Sequence, residues 1–100
     1  MTKVSIRIES DCFAWIAGAR KLGSDFLAYL TPQKPTASLE FKPGLYEVVL
    51  ASHTNPQGKT AKITVGTSAT NSISKDVSVD NDGDLIEHFY FRVTDTGEVQ

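Results

Sequence analysis

Residues 42–51 read KPGLYEVVLA, a proline–glycine turn followed directly by the longest β-favouring run of the chain. Pro43 presets φ at the first central position of a turn, and Gly44 supplies the positive φ that a type II turn needs at the second. The run that follows is apolar on both alternating sets, and Glu47 is its only charge. A strand with so little polar character is typical of the centre of a sheet, so we predict a central strand here.

Strand-like segments lie on both sides of this run. Before it, apolar and polar residues alternate through 37–42, and after it the turn Asn55-Pro56-Gln57-Gly58 leads into an alternating segment at 61–65. Three such segments in series predict a meander.

The rest of the chain also shows the period of two that is typical of strands. Residues 4–8 alternate cleanly and predict a half-buried strand. Further strand-like segments lie at residues 26–30, 72–79 and 85–93, and the last is long and aromatic. Lys75 lies on the apolar set of its segment, which indicates an edge strand. Residues 94–100 carry little apolar content, so we expect a frayed tail.

Residues 12–30 allow two interpretations. As a helix, the segment would begin with Asp11 as its N-cap; as strands, it would alternate through Trp15 into a turn around residues 18–23. Gly18 and Gly23 would each cost a helix about 1 kcal/mol relative to alanine. We therefore predict strand and turn.

Length and segment count predict the fold class. A chain of 100 residues fits a single domain spanning residues 1–100. About eight strand-like segments without a long helical pattern predict an all-β, antiparallel two-sheet β-sandwich of seven or eight strands, transthyretin- or immunoglobulin-like.

Charge and composition exclude several classes of function. A net charge of −2 provides no basic surface for nucleic acid, and a single cysteine allows no intramolecular disulfide. The opening residues contain no apolar signal region, and no later run approaches the length of a membrane span. We expect a cytoplasmic protein without a membrane span, unless another route delivers it to the surface.

Two stretches carry a family resemblance. Residues 15–18 (WIAG) are a short strand ending in a glycine turn, and residues 36–50 (TASLEFKPGLYEVVL) are an alternating strand that enters Pro-Gly-x-Tyr and a valine-rich strand. Over residues 13–79 this order resembles PEGA and carboxypeptidase-regulatory-like modules, small transthyretin-like sandwiches of surface and envelope proteins. The resemblance implies a sandwich and a non-catalytic role, and it carries over no binding residue.

The acidic turn is the candidate metal site. Asp80, Asp82 and Asp84 offer hard oxygen ligands beside Gly83, as calcium prefers. With Gly83 as the sixth residue of a calcium loop, however, the twelfth position is Phe89, so the bidentate carboxylate is missing. A solvated hairpin turn explains the same residues, and calcium is kept as a secondary possibility.

Enzymatic activity has little support in the sequence. Cys12 with His53 or His88 could in principle form a nucleophile and base, but no local signature supports that pair. We predict that Cys12 is a buried thiol, and we expect a non-catalytic protein without a cofactor.

Aromatic side chains suggest two kinds of binding. Trp15, Tyr29 and Tyr90, with Tyr46, include candidates for a platform on which sugar rings stack. A protein-interaction module that uses a sheet edge or a loop cluster needs no special residue. We favour the module, with a protein partner that the sequence does not identify. A carbohydrate- or calcium-dependent binding domain is the alternative.

Overall fold

The computed structural model describes residues 1–100 and contains eight strands and no helix. The strands are β1 (Thr2–Ser10), β2 (Trp15–Lys21), β3 (Phe26–Leu30), β4 (Thr36–Phe41), β5 (Gly44–Ser52), β6 (Thr60–Gly66), β7 (Ser72–Ser78) and β8 (Leu85–Val93). They form two antiparallel sheets of four strands each, which confirms the predicted β-sandwich. Residues 12–30 contain β2 and β3 and no helix, so the strand interpretation of this segment is confirmed. The structure has no helix long and apolar enough to cross a membrane.

Strand order confirms some expectations and corrects one. The first sheet has the order β4-β1-β6-β7, and the second sheet has the order β3-β2-β5-β8. The strand β5 is central, and β7, which carries Lys75, is an edge strand, both as predicted. The predicted meander is wrong, because β4, β5 and β6 lie alternately in the first, second and first sheet.

The geometry of Pro43 explains why β4 and β5 do not form a hairpin. Tight hairpins favour type I′ or II′ turns, which need a positive φ at the first central position, and proline holds φ near −65°. Gly44 has a φ of +155° and begins β5, so it does not take the φ near +80° of the predicted type II turn. The chain therefore leaves the first sheet at Lys42 and enters the second.

Aromatic packing holds this crossing in place. The Tyr46 hydroxyl donates a hydrogen bond to the Lys42 carbonyl oxygen at 2.6 Å, four residues upstream. This is the arrangement of a tyrosine corner in immunoglobulin-like sandwiches. The Tyr46 ring stacks on Phe41 with centroids 4.3 Å apart and on Phe91 with centroids 5.6 Å apart. These rings belong to a buried cluster of 19 side chains between the sheets.

A buried asparagine joins three loops at one end of the sandwich. Asn55 Oδ1 accepts a hydrogen bond from the Phe13 amide at 3.2 Å. Its Nδ2 donates to Ser52 Oγ at 2.9 Å and to the Gly83 carbonyl oxygen at 3.2 Å. The acidic turn is thereby tied to the loops that follow β1 and β5.

The expectation of a frayed tail is wrong. Residues 94–100 turn back on the end of β8, where Arg92 and Gln100 exchange two backbone hydrogen bonds of 2.9 Å. Val99 is buried, and its amide donates to Asn71 Oδ1 at 2.9 Å. A single buried valine and one asparagine anchor this segment, and a scan for apolar content does not detect such an anchor.

Candidate functional site

The outer faces of the two sheets differ in chemistry. The outward positions of the first sheet are polar, and they include Lys3, Ser5, Arg7, Glu9, Ser38, Glu40, Lys62, Thr64, Ser74 and Asp76. On the second sheet, five large apolar or aromatic side chains point outward and are 44–62% exposed: Ile16, Tyr29, Leu45, Ile86 and Tyr90. We call this surface the apolar face. A β-sandwich has no structural need for such a cluster in water, so it is the candidate functional site.

Strand register arranges these side chains in rows across the sheet. Ile16, Ala51 and Ile86 lie side by side in one row. The next row runs from Tyr29 through small or branched residues at Gly18 and Val49 to His88. Neighbouring strands are about 4.8 Å apart, and Tyr90 lies two residues along β8 from the row of Tyr29. Tyr29 on β3 and Tyr90 on β8 therefore border the face roughly 16 Å from each other.

A shallow groove crosses the middle of the apolar face. It has a volume of about 160 Å³ and is lined by Ile16, Ala17, Gly18, Phe26, Tyr29, Val49 and Ala51. Gly18 makes room for the Phe26 ring in the wall of this groove, because a Cβ there would lie 2.6 Å from Cδ1 of that ring. Phe26 reaches this position through the irregular pairing between Ala19 and Arg20.

The apolar face also contains a buried carboxylate, that of Glu47. Glu47 alternates outward between core residues Tyr46 and Val48, yet it is only 1% exposed. Arg20 Nε donates to its Oε1, and His88 Nδ1 lies 3.3 Å from its Oε2, close enough to donate as well. Glu47 is therefore covered by its own hydrogen-bond partners.

The partners of Glu47 also lower its pKa. Burial opposes ionisation, but the hydrogen bonds from Arg20 and His88 and their charge outweigh burial. The pKa of the carboxyl therefore lies below its ordinary value of 4.5. The same two partners orient aromatic rings, since Arg20 lies over Phe26 at 5.1 Å and His88 stacks on Tyr90 at 6.4 Å. The ionised Glu47 thus holds a fixed pattern of rings and charges.

The aromatic candidates fall into two groups. Tyr29 and Tyr90 belong to the apolar face and are each 58% exposed. Trp15 is only 7% exposed and Tyr46 is buried, so both rings are part of the core and offer no stacking surface. Burial also raises the pKa of the Tyr46 hydroxyl.

The aspartates of the acidic turn organise the turn itself. Asp80 Oδ1 accepts hydrogen bonds from the amides of Asp82 and Asp84 at 2.8 Å and 2.9 Å. Asp84 Oδ1 lies 3.1 Å from His53 Nδ1. The structure brings together no group of three or more histidine, cysteine or acidic side chains that could hold a metal ion.

The cysteine and the histidines are not joined. Cys12 is buried in the core cluster, and no hydrogen bond connects its sulfur to a histidine. His53 and His88 each contact a carboxylate instead, on Asp84 and Glu47. These contacts assemble no nucleophile and base.

Sequence reasoning placed Tyr29 and Tyr90 among the candidates but did not identify the role of Glu47. The one feature of the sequence that pointed to Glu47 was its position as the only charge in an apolar strand. Arg20 and His88 had no signal, because they reach Glu47 only through the pairing of β2 and β8 with β5. The resemblance to PEGA-type modules stays a prediction. The chain matches no family model, no curated protein and no solved structure.

Proposed function

We infer that this chain is a non-catalytic protein-interaction module that binds its partner through the apolar face of the second sheet. The observation that supports this function most directly is the contrast between the two outer faces. Both are faces of one sandwich in the same solvent, yet only one exposes several large apolar side chains. Contiguous exposed apolar surface on a soluble fold marks interaction sites.

The composition of the apolar face favours a protein over other ligands. Tyrosine and arginine are enriched among the residues that dominate binding energy at protein interfaces. Tyr29 and Tyr90 border the face, and Arg92 lies beside Leu45 without an ion pair. The aliphatic side chains of Ile16 and Ile86 add apolar area that a sugar would not need.

The hydrogen-bonded group of Glu47, Arg20 and His88 supports binding by limiting the entropic cost of binding. Arg20 and His88 are held by hydrogen bonds to Glu47 and by contacts with Phe26 and Tyr90. Side chains that are already ordered lose less rotamer freedom when a partner docks.

Site-specific photo-crosslinking tests this function. A photo-crosslinking amino acid at Ile16, on the apolar face, is compared with the same residue at Ser74, on the outer face of the first sheet. We expect Ile16 to capture a defined protein and Ser74 to capture none. The captured protein is then purified and titrated against the chain by calorimetry.

Charge substitutions provide the matched control in that titration. Ile16→Lys should weaken binding by at least about tenfold, since it places a charge in the contact, and Ser74→Lys should leave affinity unchanged. Equal capture at both positions, or an Ile16→Lys variant that binds as tightly as the wild type, would contradict the proposed function.

Carbohydrate binding is the second candidate, and the exposure of Tyr29 and Tyr90 on one face favours it. Two exposed rings roughly 16 Å apart on one face of a sheet are suited to an extended glycan. A glycan array, screened with and without calcium, tests this candidate. Binding that is lost in both Tyr29→Ala and Tyr90→Ala would favour a sugar ligand over a protein.

A further inference from the structure

We propose that the partner contributes an extended segment that pairs antiparallel with the free edge of β8 between Ile86 and Tyr90. This proposal rests on the proposed function, and it specifies how the partner binds and which kind of partner fits. An extended backbone is the chemistry that an open strand edge recognises, because it supplies donors and acceptors at the strand repeat.

The pairing of β5 with β8 shows which backbone amides and carbonyls of β8 have no partner. Arg92 pairs with Leu45 in register, but it gives both of its backbone hydrogen bonds to Gln100 on the outer edge. In an antiparallel ladder, alternate residues direct their amide and carbonyl to the same side. Tyr90, His88 and Ile86 therefore direct theirs to that edge, where no backbone partner meets them.

Only one strand that borders the apolar face has a long regular edge. The first-sheet edges, β4 and β7, border polar surface instead. On the second sheet, β3 has five residues and an irregular pairing, which are features that blunt an edge. The nine residues of β8 contain no proline and no lysine, and its pairing with β5 is continuous.

The tail shows the orientation in which a strand fits this edge. Val99 bridges Val93 in antiparallel orientation, and Gln100 pairs with Arg92. A segment that continues this ladder would pair in turn with Tyr90, His88 and Ile86. A second copy of the chain fits less well, because two-fold pairing of β8 about His88 would place the Asp84 backbone of that copy where Gln100 lies.

Side chains around the edge define the partner segment. Residues opposite Ile86 and His88 extend the apolar face, so apolar side chains suit those two positions. The residue opposite Tyr90 is a diagonal neighbour of Arg92, which has no ion pair, so an acidic side chain suits it. The residues opposite Glu87 and Phe89 point to the other side of the sheet, where the Lys75–Glu87 ion pair lies. Polar side chains fit there.

A synthetic peptide with this pattern is the probe. In the blocked heptapeptide Thr-Glu-Thr-Val-Thr-Val-Thr, the second, fourth and sixth residues would oppose Tyr90, His88 and Ile86. We expect the peptide, at millimolar concentration, to slow amide exchange of these three residues by on the order of tenfold, while exchange elsewhere is unchanged. Protection of none of the three amides would overturn the proposal.

N-methylation of the peptide provides a matched pair of controls. Methylation at the fourth and sixth residues removes donors that face β8 and should weaken binding by about tenfold. Methylation at the third and fifth residues removes donors that face away and should leave binding unchanged. Equal effects of the two peptides would overturn strand pairing.

Two protein variants separate this proposal from the proposed function. Ile86→Pro removes both the side chain and the outward amide, whereas Ile86→Thr alters only the side chain. Toward the partner captured at Ile16, Ile86→Pro should bind about tenfold more weakly than Ile86→Thr. If the two variants bind equally and Ile16→Lys still disrupts binding, the apolar face is supported as the binding site and strand pairing at the edge of β8 is rejected. Sedimentation showing a dimer that protects the same three amides would reject a peptide partner in favour of a second copy.

Discussion

Tyr46 stabilises the fold through its ring and through its hydroxyl, and two substitutions separate these effects. Tyr46→Phe loses the hydrogen bond to the Lys42 carbonyl and should cost about 0.5–1.5 kcal/mol. Tyr46→Ala also removes the ring stacked between Phe41 and Phe91, at a cost of about 3–5 kcal/mol. Urea unfolding of both variants measures the difference.

Asp82→Ala is the control for Tyr46 because it changes an exposed turn residue. Its cost should stay below about 1 kcal/mol, with or without calcium. A large loss from Asp82→Ala that appears only with calcium present would show that the acidic turn is a metal site.

Glu47 makes stability depend on pH. Since the pKa of Glu47 is lower in the folded state than its ordinary value of 4.5, its ionised form stabilises the fold above that pH. This stabilisation is lost as the pH falls through the folded-state pKa. Glu47→Gln should cost about 1–3 kcal/mol at pH 7, a range kept modest because Arg20 and His88 are partly exposed.

Unfolding by urea at pH 7 and at pH 3 measures this dependence. The difference in unfolding free energy between wild type and Glu47→Gln should shrink at pH 3, where the wild-type carboxyl is more protonated. A difference of the same size at both pH values would contradict the assignment.

At the scale of the elements, the turn between β7 and β8 packs closely against the loop after β5. Gly83 has a φ of +83°, and a Cβ there would lie 2.8 Å from the Asn55 carbonyl oxygen. Gly58 has a similar φ of +89° with nothing within 4 Å. Gly58→Ala should cost about 1–2 kcal/mol for its backbone conformation. Gly83→Ala should cost roughly 1–3 kcal/mol more, for the clash.

Thermal melts of the two alanine variants test this contrast. Equal melting temperatures would show that the contact with Asn55 relaxes without cost. A larger loss for Gly83→Ala would show that the turn is held against the loop after β5.

Local sequence patterns predicted single strands well and their partners poorly. The central place of β5 was predictable, because a strand that is apolar on both alternating sets needs cover on both faces. Its neighbours were not, since β2 and β8 are brought to it from distant parts of the chain. The candidate site shares this limit: the exposure of Tyr29 and Tyr90 depends on which sheet each strand joins.

At the scale of the whole molecule, Cys12 reports on opening of the core. Its thiol is buried among the 19 core side chains, so labelling by a thiol reagent should require unfolding. The labelling rate of the native protein should be slow and should rise with urea in step with global unfolding. Rapid labelling without denaturant would contradict this prediction and would reopen the case for a reactive cysteine.

The alternation of β4, β5 and β6 between the sheets also governs how the protein folds. Ile6 on β1 pairs with Val65 on β6, and Val48 on β5 pairs with Phe89 on β8. Only two pairings, β2 with β3 and β6 with β7, join consecutive strands. Chains dominated by such distant contacts fold in milliseconds to seconds. During synthesis, β1 gains its second neighbour only after β6 has left the ribosome, so the first half of the chain emerges without a complete sheet.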